Sequence, residues 1–222
     1  MTLAIVVPVK SPERAKHRLA PLLSESERFE LASAMARDVF RALEPLTEYG
    51  RVVVSEDLAV LQEASRFGLE PLMDQVRQGQ SAAVQQGFSL VWERGITVAL
   101  TVPGDVPGVT TGELRDLATY RPEIEVLLAT DRARIGTNGL RLVPPHAITL
   151  RFGEDSFRLH RDEASRAHRS FEEYAIDGLR YDLDRPDDVA AFLGLDRETE
   201  TRSLLMKLKI GDRVPAGTLQ RG

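Results

Sequence analysis

The chain has 222 residues, 42% hydrophobic and 28% charged, with a formal net charge of -5. That is the composition of a globular protein with chain enough for one large domain or two small ones, and the acidic balance gives the surface as a whole no affinity for nucleic acid. Without cysteine there is neither a disulfide framework nor a thiolate metal site. No apolar run is long enough to cross a bilayer, and the opening MTLAIVVPVKSPERAKH lacks a signal-peptide pattern, so the expected location is cytoplasmic, with no membrane partner.

Leu3 to Val9 is nearly continuous in aliphatic residues, the pattern of a strand covered on both faces in a parallel sheet. It opens at Pro8 into PVKSPERAKHRLAPL, which places Lys10, Arg14, Lys16, His17 and Arg18 directly after the strand's carboxyl end. Glycine is absent there, so a phosphate would be held by ammonium and guanidinium groups rather than by backbone amides. A solvated basic surface loop is the other reading. Ser24 and Glu27 form a capping box for a helix that ends near Pro45. Arg51 to Ser55 reads as a second buried strand, Asp57 to Phe67 as a helix closed by Gly68, and Leu69 to Met73 as a short third strand. This alternation predicts an α/β fold with a mostly parallel central sheet and helices on both faces.

The polar loop from Asp74 runs through Gly79 and Ser81 into a helix that reaches about Arg94. Gly79 permits close backbone approach, and Ser81 either meets an anion or a base edge or serves as an ordinary N-cap. Ile96 to Val102 is the next strand, and Pro103-Gly104-Asp105 ends it abruptly. A lone carboxylate at a strand's carboxyl end suits a metal ion beside a ligand, and equally suits a turn or a helix cap. After a helix from Thr111 to Tyr120, Glu125 to Thr130 is another strand. In the loop DRARIGTNGLRL, Gly136 to Gly139 offers exposed amides and a hydroxyl; Gly153 and Ser156 suit a second anion-receiving turn before a helix from Asp155, although Thr137 and Ser156 equally suit a cap or a turn, and His160 reads as structural or surface. Leu179 to Leu183 is predicted as a last strand delivering Asp184. Pro186 then starts a helix whose dipole accounts for Asp187 and Asp188.

Taken together, PVK and AKHRL (Lys10, Lys16, Arg18), PGDVP around Asp105, GTNGL from Gly136, FGEDSFRLH from Phe152 and DLDRPDDV from Asp182 resemble the guanylyltransferases of coenzyme F-420 biosynthesis. These enzymes join GMP from GTP to 2-phospho-L-lactate, phosphoenolpyruvate or 3-phospho-D-glycerate. The resemblance covers about residues 3 to 195. It implies a GT-A-like, Rossmann-related nucleotidyltransferase domain over residues 1–196, followed by an extension, 197–222, that is either flexible or packs on a second subunit through Leu204, Leu205 and Met206. It further implies Val7, Pro8 and Val9 along the nucleotide, with Lys10, Lys16 and Arg18 on its phosphates. Gly79, Ser81 and Pro103 would border the base and ribose, Asp105 and Asp184 would share magnesium, and Thr137, Gly153 and Ser156 would hold the acceptor. Implied partners are GTP, a small phosphorylated carboxylic acid, a second copy of the chain and a downstream transferase that receives the activated product. Gly79-Gln80-Ser81-Ala82 departs from the GLN-type sequence of many relatives, which leaves the choice of base open. Two other readings stand: a nucleotidyltransferase for molybdopterin or a sugar phosphate, and a catalytically idle nucleotide-binding module on the same fold.

Overall fold

A computed structural model describes residues 2–213. Its sheet comprises β1 (Leu3–Pro8), β2 (Gly50–Ser55), β3 (Glu70–Met73), β4 (Val98–Thr101), β5 (Val126–Thr130), β6 (Thr137–Leu142) and β7 (Phe171–Glu173), in the order β3-β2-β1-β4-β6-β5-β7. β1 pairs in parallel with β2 and β4, β2 with β3, and β5 with β7, while β6 runs antiparallel to β4 and β5. The helices are α1 (Glu25–Leu43), α2 (Leu58–Arg66), α3 (Gln80–Glu93), α4 (Thr111–Thr119), α5 (Ser156–Arg166), α6 (Pro186–Leu193) and α7 (Glu200–Lys207). Among the described residues, no helix is long and apolar enough to cross a membrane.

β1, β2, β4 and β5 are largely aliphatic because both of their faces are covered, and successive residues serve opposite layers. Ile5 and Val7 of β1 pack with Val39, Phe40 and Leu43 of α1 and Leu114 of α4. Ala4 and Val6 pack with Val84, Phe88 and Val91 of α3. A third cluster joins the outer side of α1, through Leu31 and Met35, to Leu183, Phe192 and Leu205. The Ser24–Glu27 capping box forms in full, with both reciprocal hydrogen bonds.

β1 lies between β2 and β4: the chain steps outward from β1 to β2 and β3, then crosses back through α3 to β4 on the other side of β1. Such a reversal opens a crevice at the carboxyl ends of the two central strands. The loops after β1 and β4 therefore flank one cleft.

Three local expectations are corrected. Gly136 to Gly139 is not an exposed turn: Thr137–Leu142 is a strand buried along its whole length at the centre of the sheet. Glycine and asparagine signalled a turn, yet Gly139 is required by packing, because a Cβ would lie 2.9 Å from Leu117 Cδ2 and 3.0 Å from Leu179 Cδ1. Buried Arg141 also ties β6 to the end of α4, donating to the carbonyls of Tyr120 (2.5 Å) and Arg121 (2.9 Å). Leu179 to Leu183 forms no strand; Leu179 closes a 3-10 turn and belongs to the first core, whereas Leu183 belongs to the third. Ser81 does not cap α3, since Gly79, at φ 86°, occupies that position.

The segment from Arg197, set apart in the sequence as an extension, folds back onto α1 as far as Arg213. Asp38 of α1 accepts from the Glu200 and Thr201 amides at 2.9 and 2.8 Å and so caps α7, Arg37 pairs with Glu200, and Leu205 is fully buried. Val214 to Gly222, the closing part of that extension, lies outside the described residues.

Candidate active site

The cleft is closed at its base by main chain. The Gly104 amide donates to the Pro8 carbonyl at 3.2 Å, which locks the loop after β4 to the end of β1, and the Val9 amide donates to the Val54 carbonyl of β2 at 2.9 Å. The Val7 side chain is buried in the core, so β1 offers the cleft its backbone there, with half-buried Val9 and exposed Lys10 beyond it. Pro103 and Asp105 are half-buried at the facing wall.

The basic loop is anchored rather than free. Buried Ser11 donates to Asp57 at 2.8 Å, Pro12 opens one 3-10 turn, and Leu19 is fully buried at the end of a second. Between the turns Lys16 takes a left-handed backbone, φ 58°. For a side chain with a Cβ this costs roughly 1 kcal/mol and persists only where the surroundings enforce it. Its ammonium donates to Asp105 Oδ2 at 2.7 Å and to Asp184 Oδ1 at 2.6 Å. The Lys16 side chain is 4% exposed, against 38% for Asp105 and 42% for Asp184. Burial disfavours the ammonium, but the two carboxylates outweigh it and hold its pKa above the ordinary lysine value. Burial likewise opposes the charge on Asp184, and Lys16, then Arg18 and Lys10, overcome it, so that this carboxyl stays below its usual range. Five residues singled out in sequence, Lys10, Lys16, Arg18, Asp105 and Asp184, thus act on one another at one place. Lys10 and Arg18 are exposed and have no ion-pair partner among the described residues.

A further acid was missed. Asp182 is pushed up to about 7, first by burial and then by the charges of Asp105 and Asp184, with Lys16 acting against them. The signal lay in the spacing: Leu183 is fully buried, and the residues on either side of it turn to the cleft. Asn138 of β6 donates to the Leu179 carbonyl at 2.8 Å and to Asp182 at 3.3 Å, so it holds this segment rather than presenting an exposed amide.

Among the described residues, no set of three or more His, Cys, Asp or Glu is arranged as a preformed metal cage. What Asp105 and Asp184 present instead is a partly exposed pair that shares the Lys16 ammonium, with Lys10 and Arg18 acting on Asp184 as well. This fits magnesium, which keeps water and substrate phosphate oxygens as ligands and takes only one or two carboxylates from a protein.

Beside the acids lies a second polar cluster. Thr137, next to Asn138 on β6, and Ser156, the first residue of α5, are both buried. The Thr137 hydroxyl is 3.0 Å from His160 Nδ1, and His160 Nε2 accepts from the Arg151 amide at 2.9 Å. Exposed Gly153 turns the chain at φ 121°, a conformation side chains rarely permit. The Phe152 amide donates to Ser81 Oγ at 2.9 Å, so Gly79 and Ser81 at the start of α3 meet the segment that carries Gly153. All the residues singled out for acceptor binding therefore adjoin His160 or its neighbours in sequence. Its local pattern gave no sign of that, because its partners come from β6 and from the loop before α5.

A family model described as "Guanylyl transferase CofC like" matches residues 3–219. The chain belongs to this family. It is 35% identical over 195 residues to a phosphoenolpyruvate guanylyltransferase of Sphaerobacter thermophilus, covering 87% of this chain and 94% of the relative. It is 29% identical over 205 residues to a 2-phospho-L-lactate guanylyltransferase of Methanocaldococcus infernus, covering 92% and 91%. Among solved structures, one described as a nucleotide-diphospho-sugar transferase from Desulfovibrio desulfuricans G20 superposes with a TM-score of 0.80 at 14% identity over 96% of this chain and 99% of that one. A nucleotidyl transferase from Methanothermobacter thermautotrophicus gives 0.64 at 15% identity over 86% and 95%. At such identities the likeness is one of fold, and it is the nucleotidyltransferase fold that the order of the motifs implied. The guanylyl transferase family match also extends past residue 195, where the resemblance read from the sequence motifs stopped.

Proposed function

We propose that this guanylyl transferase moves the GMP unit of GTP onto the phosphate of a small phosphorylated carboxylic acid, with release of pyrophosphate, in coenzyme F-420 biosynthesis. Phosphoenolpyruvate is placed first among acceptors, on the 35% identity to an enzyme named for it against 29% and 31% for two named for 2-phospho-L-lactate. The observation that carries the reading is the Lys16 ammonium shared by Asp105 and Asp184, with Lys10 and Arg18 beside it, at the reversal point of the sheet.

In this reading an acceptor phosphate oxygen attacks the α-phosphorus of GTP. A new phosphorus–oxygen bond forms, the bond from the α-phosphorus to the α,β-bridging oxygen breaks, and pyrophosphate leaves with the electron pair. The acceptor is already ionised at neutral pH, so no protein nucleophile is needed and the absence of cysteine is no obstacle. The main obstacle is an anion attacking an anion, and Lys10, Lys16 and Arg18 offset that repulsion and the charge on the departing pyrophosphate. Magnesium, held by Asp105 and Asp184, would supply further neutralisation of phosphate charge. Val7, Pro8 and Val9 line the nucleotide, Val7 through its main chain; Gly79, Ser81 and Pro103 border base and ribose; Thr137, Gly153 and Ser156 receive the acceptor.

The test is pyrophosphate release with magnesium and GTP, running phosphoenolpyruvate, 2-phospho-L-lactate and 3-phospho-D-glycerate side by side, with ATP and CTP as nucleotide controls. Release with GTP and phosphoenolpyruvate is expected. Release with another of the acids would reassign the acceptor, and silence with all three, from protein that binds GTP, would overturn the reading in favour of a different acceptor or an idle binding module.

A further inference from the structure

His160 is fully buried, and each of its ring nitrogens faces a different part of the acceptor cluster. Nε2 accepts the Arg151 amide proton at 2.9 Å, so that nitrogen carries a lone pair. In a neutral imidazole the proton then sits on Nδ1, which faces Thr137 Oγ1 at 3.0 Å. A hydroxyl whose oxygen accepts a hydrogen bond directs its own proton elsewhere. The edge of Phe152 packs against the ring, 4.8 Å between centroids at 70°.

We propose that His160 is a positioning residue for acceptor binding: through Nδ1–H it orients the Thr137 hydroxyl so that its proton meets the acceptor anion, while the Arg151 amide, by donating to Nε2, fixes the tautomer that makes this possible. The inference rests on the acceptor lying at Thr137, Gly153 and Ser156. Burial pushes the ring down to about 4, with the Ser156 backbone partly opposing, so the imidazole is neutral in the working range. A charged ring could not accept from Arg151, and the two roles are compatible only in this one tautomer.

Two amide replacements separate the roles. Asn can place an amide N–H where Nδ1 stands and keep the bond to Thr137, whereas Gln can reach the Nε2 position and keep the bond from Arg151. We expect His160→Gln to raise the acceptor KM about tenfold while the GTP KM is unchanged, and His160→Asn to stay within about threefold of the parent. Thr137→Val should raise the acceptor KM to the same degree, and adding His160→Gln to it should change little more. Equal damage from Asn and Gln, or fully additive effects in the double variant, would overturn the proposal. If Thr137→Val and Ser156→Ala leave the acceptor KM untouched, the acceptor site itself is misplaced; if they raise it while His160→Gln does not, only the role of His160 fails. A measurement on the unaltered protein guards against variants that do not fold: long-range proton–nitrogen NMR should show the His160 proton on Nδ1, and a proton on Nε2 would sink the idea.

Discussion

Gly104 and Val9 meet so closely that a Cβ on Gly104 would stand 2.7 Å from Val9 Cγ2. The contact sets how near Asp105, on the loop after β4, comes to the end of β1, and the glycine is what permits it. Val9 is β-branched and follows a strand, so it cannot swing aside freely. Gly104→Ala should therefore displace the Asp105 loop, with kcat lowered by roughly tenfold or more and the melting temperature changed by only a few degrees, since Val9 is half-buried at the margin of the first core. Steady-state kinetics beside a thermal melt would check this; unchanged kcat would show that the loop tolerates the shift.

Asp105→Asn keeps the shape of the side chain and removes its charge. Lys16 would retain Asp184 as its ion-pair partner, so the fold should persist while magnesium-dependent turnover falls by at least about a hundredfold. A magnesium titration of activity, with circular dichroism as the control for folding, separates the two. Full activity in this variant would remove Asp105 from the metal-binding pair.

Lys16→Met removes the ammonium but keeps much of the buried aliphatic length. Asp105 and Asp184 then face each other without their shared cation, which should tighten binding of a divalent ion while turnover falls by roughly a hundredfold, because the charge that opposes phosphate repulsion is lost. Calorimetric titration with magnesium alone and the pyrophosphate assay read the two effects independently.

Gly87 lies midway along α3, where alanine would ordinarily favour the helix by about 1 kcal/mol. Here a Cβ would overlap Val6 Cγ1 on β1 and come within 3.3 Å of Val54 Cγ2 on β2. Overpacking of that kind costs about 1–3 kcal/mol and outweighs the propensity gain. Gly87→Ala should lower the urea midpoint without altering KM values; a gain in stability would mean that α3 can lift from the sheet at little cost.

His160 also makes stability depend on pH. Its folded pKa, about 4, lies below the ordinary value of 6.5, so on acidification the unfolded chain takes up the proton first. The contribution is complete above about pH 7 and is lost as the pH falls through 6.5 towards 4, amounting to about 2 kcal/mol between pH 7 and pH 5. Urea unfolding at those two pH values should show a drop that is smaller by this amount in His160→Asn, whose side chain does not titrate.

Much of the frame was legible because its signals are local. The Ser24–Glu27 box depends on residues three apart, and β1, β2, β4 and β5 declare themselves as aliphatic runs bounded by turn residues. β6 escaped because Gly136, Asn138 and Gly139 are turn formers by composition, whereas the place of Gly139 is set by Leu117, Leu179 and Ala129, and that of Asn138 by the Leu179 carbonyl and Asp182. Leu179 to Leu183 erred in the opposite direction: its alternation suits a strand, but its two leucines are drawn into different cores, and no partner strand lies alongside.

By itself the sequence determined the aliphatic strands and marked Lys10, Lys16, Arg18, Asp105 and Asp184 as candidates, since each follows a break in the apolar pattern and falls in a motif that resembles the family's. Only the tertiary structure decided that Lys16 would meet Asp105 and Asp184, and what holds the charges of Lys16 and Asp184 against burial. Lys16 reaches an acid 89 residues away and another 168 away, Asp182 acquires its raised pKa from burial among those same groups, and His160 takes its tautomer from Arg151 and Thr137. Ionisation and proton position depend on the local field and on desolvation, and both are sums over neighbours that chain order does not reveal.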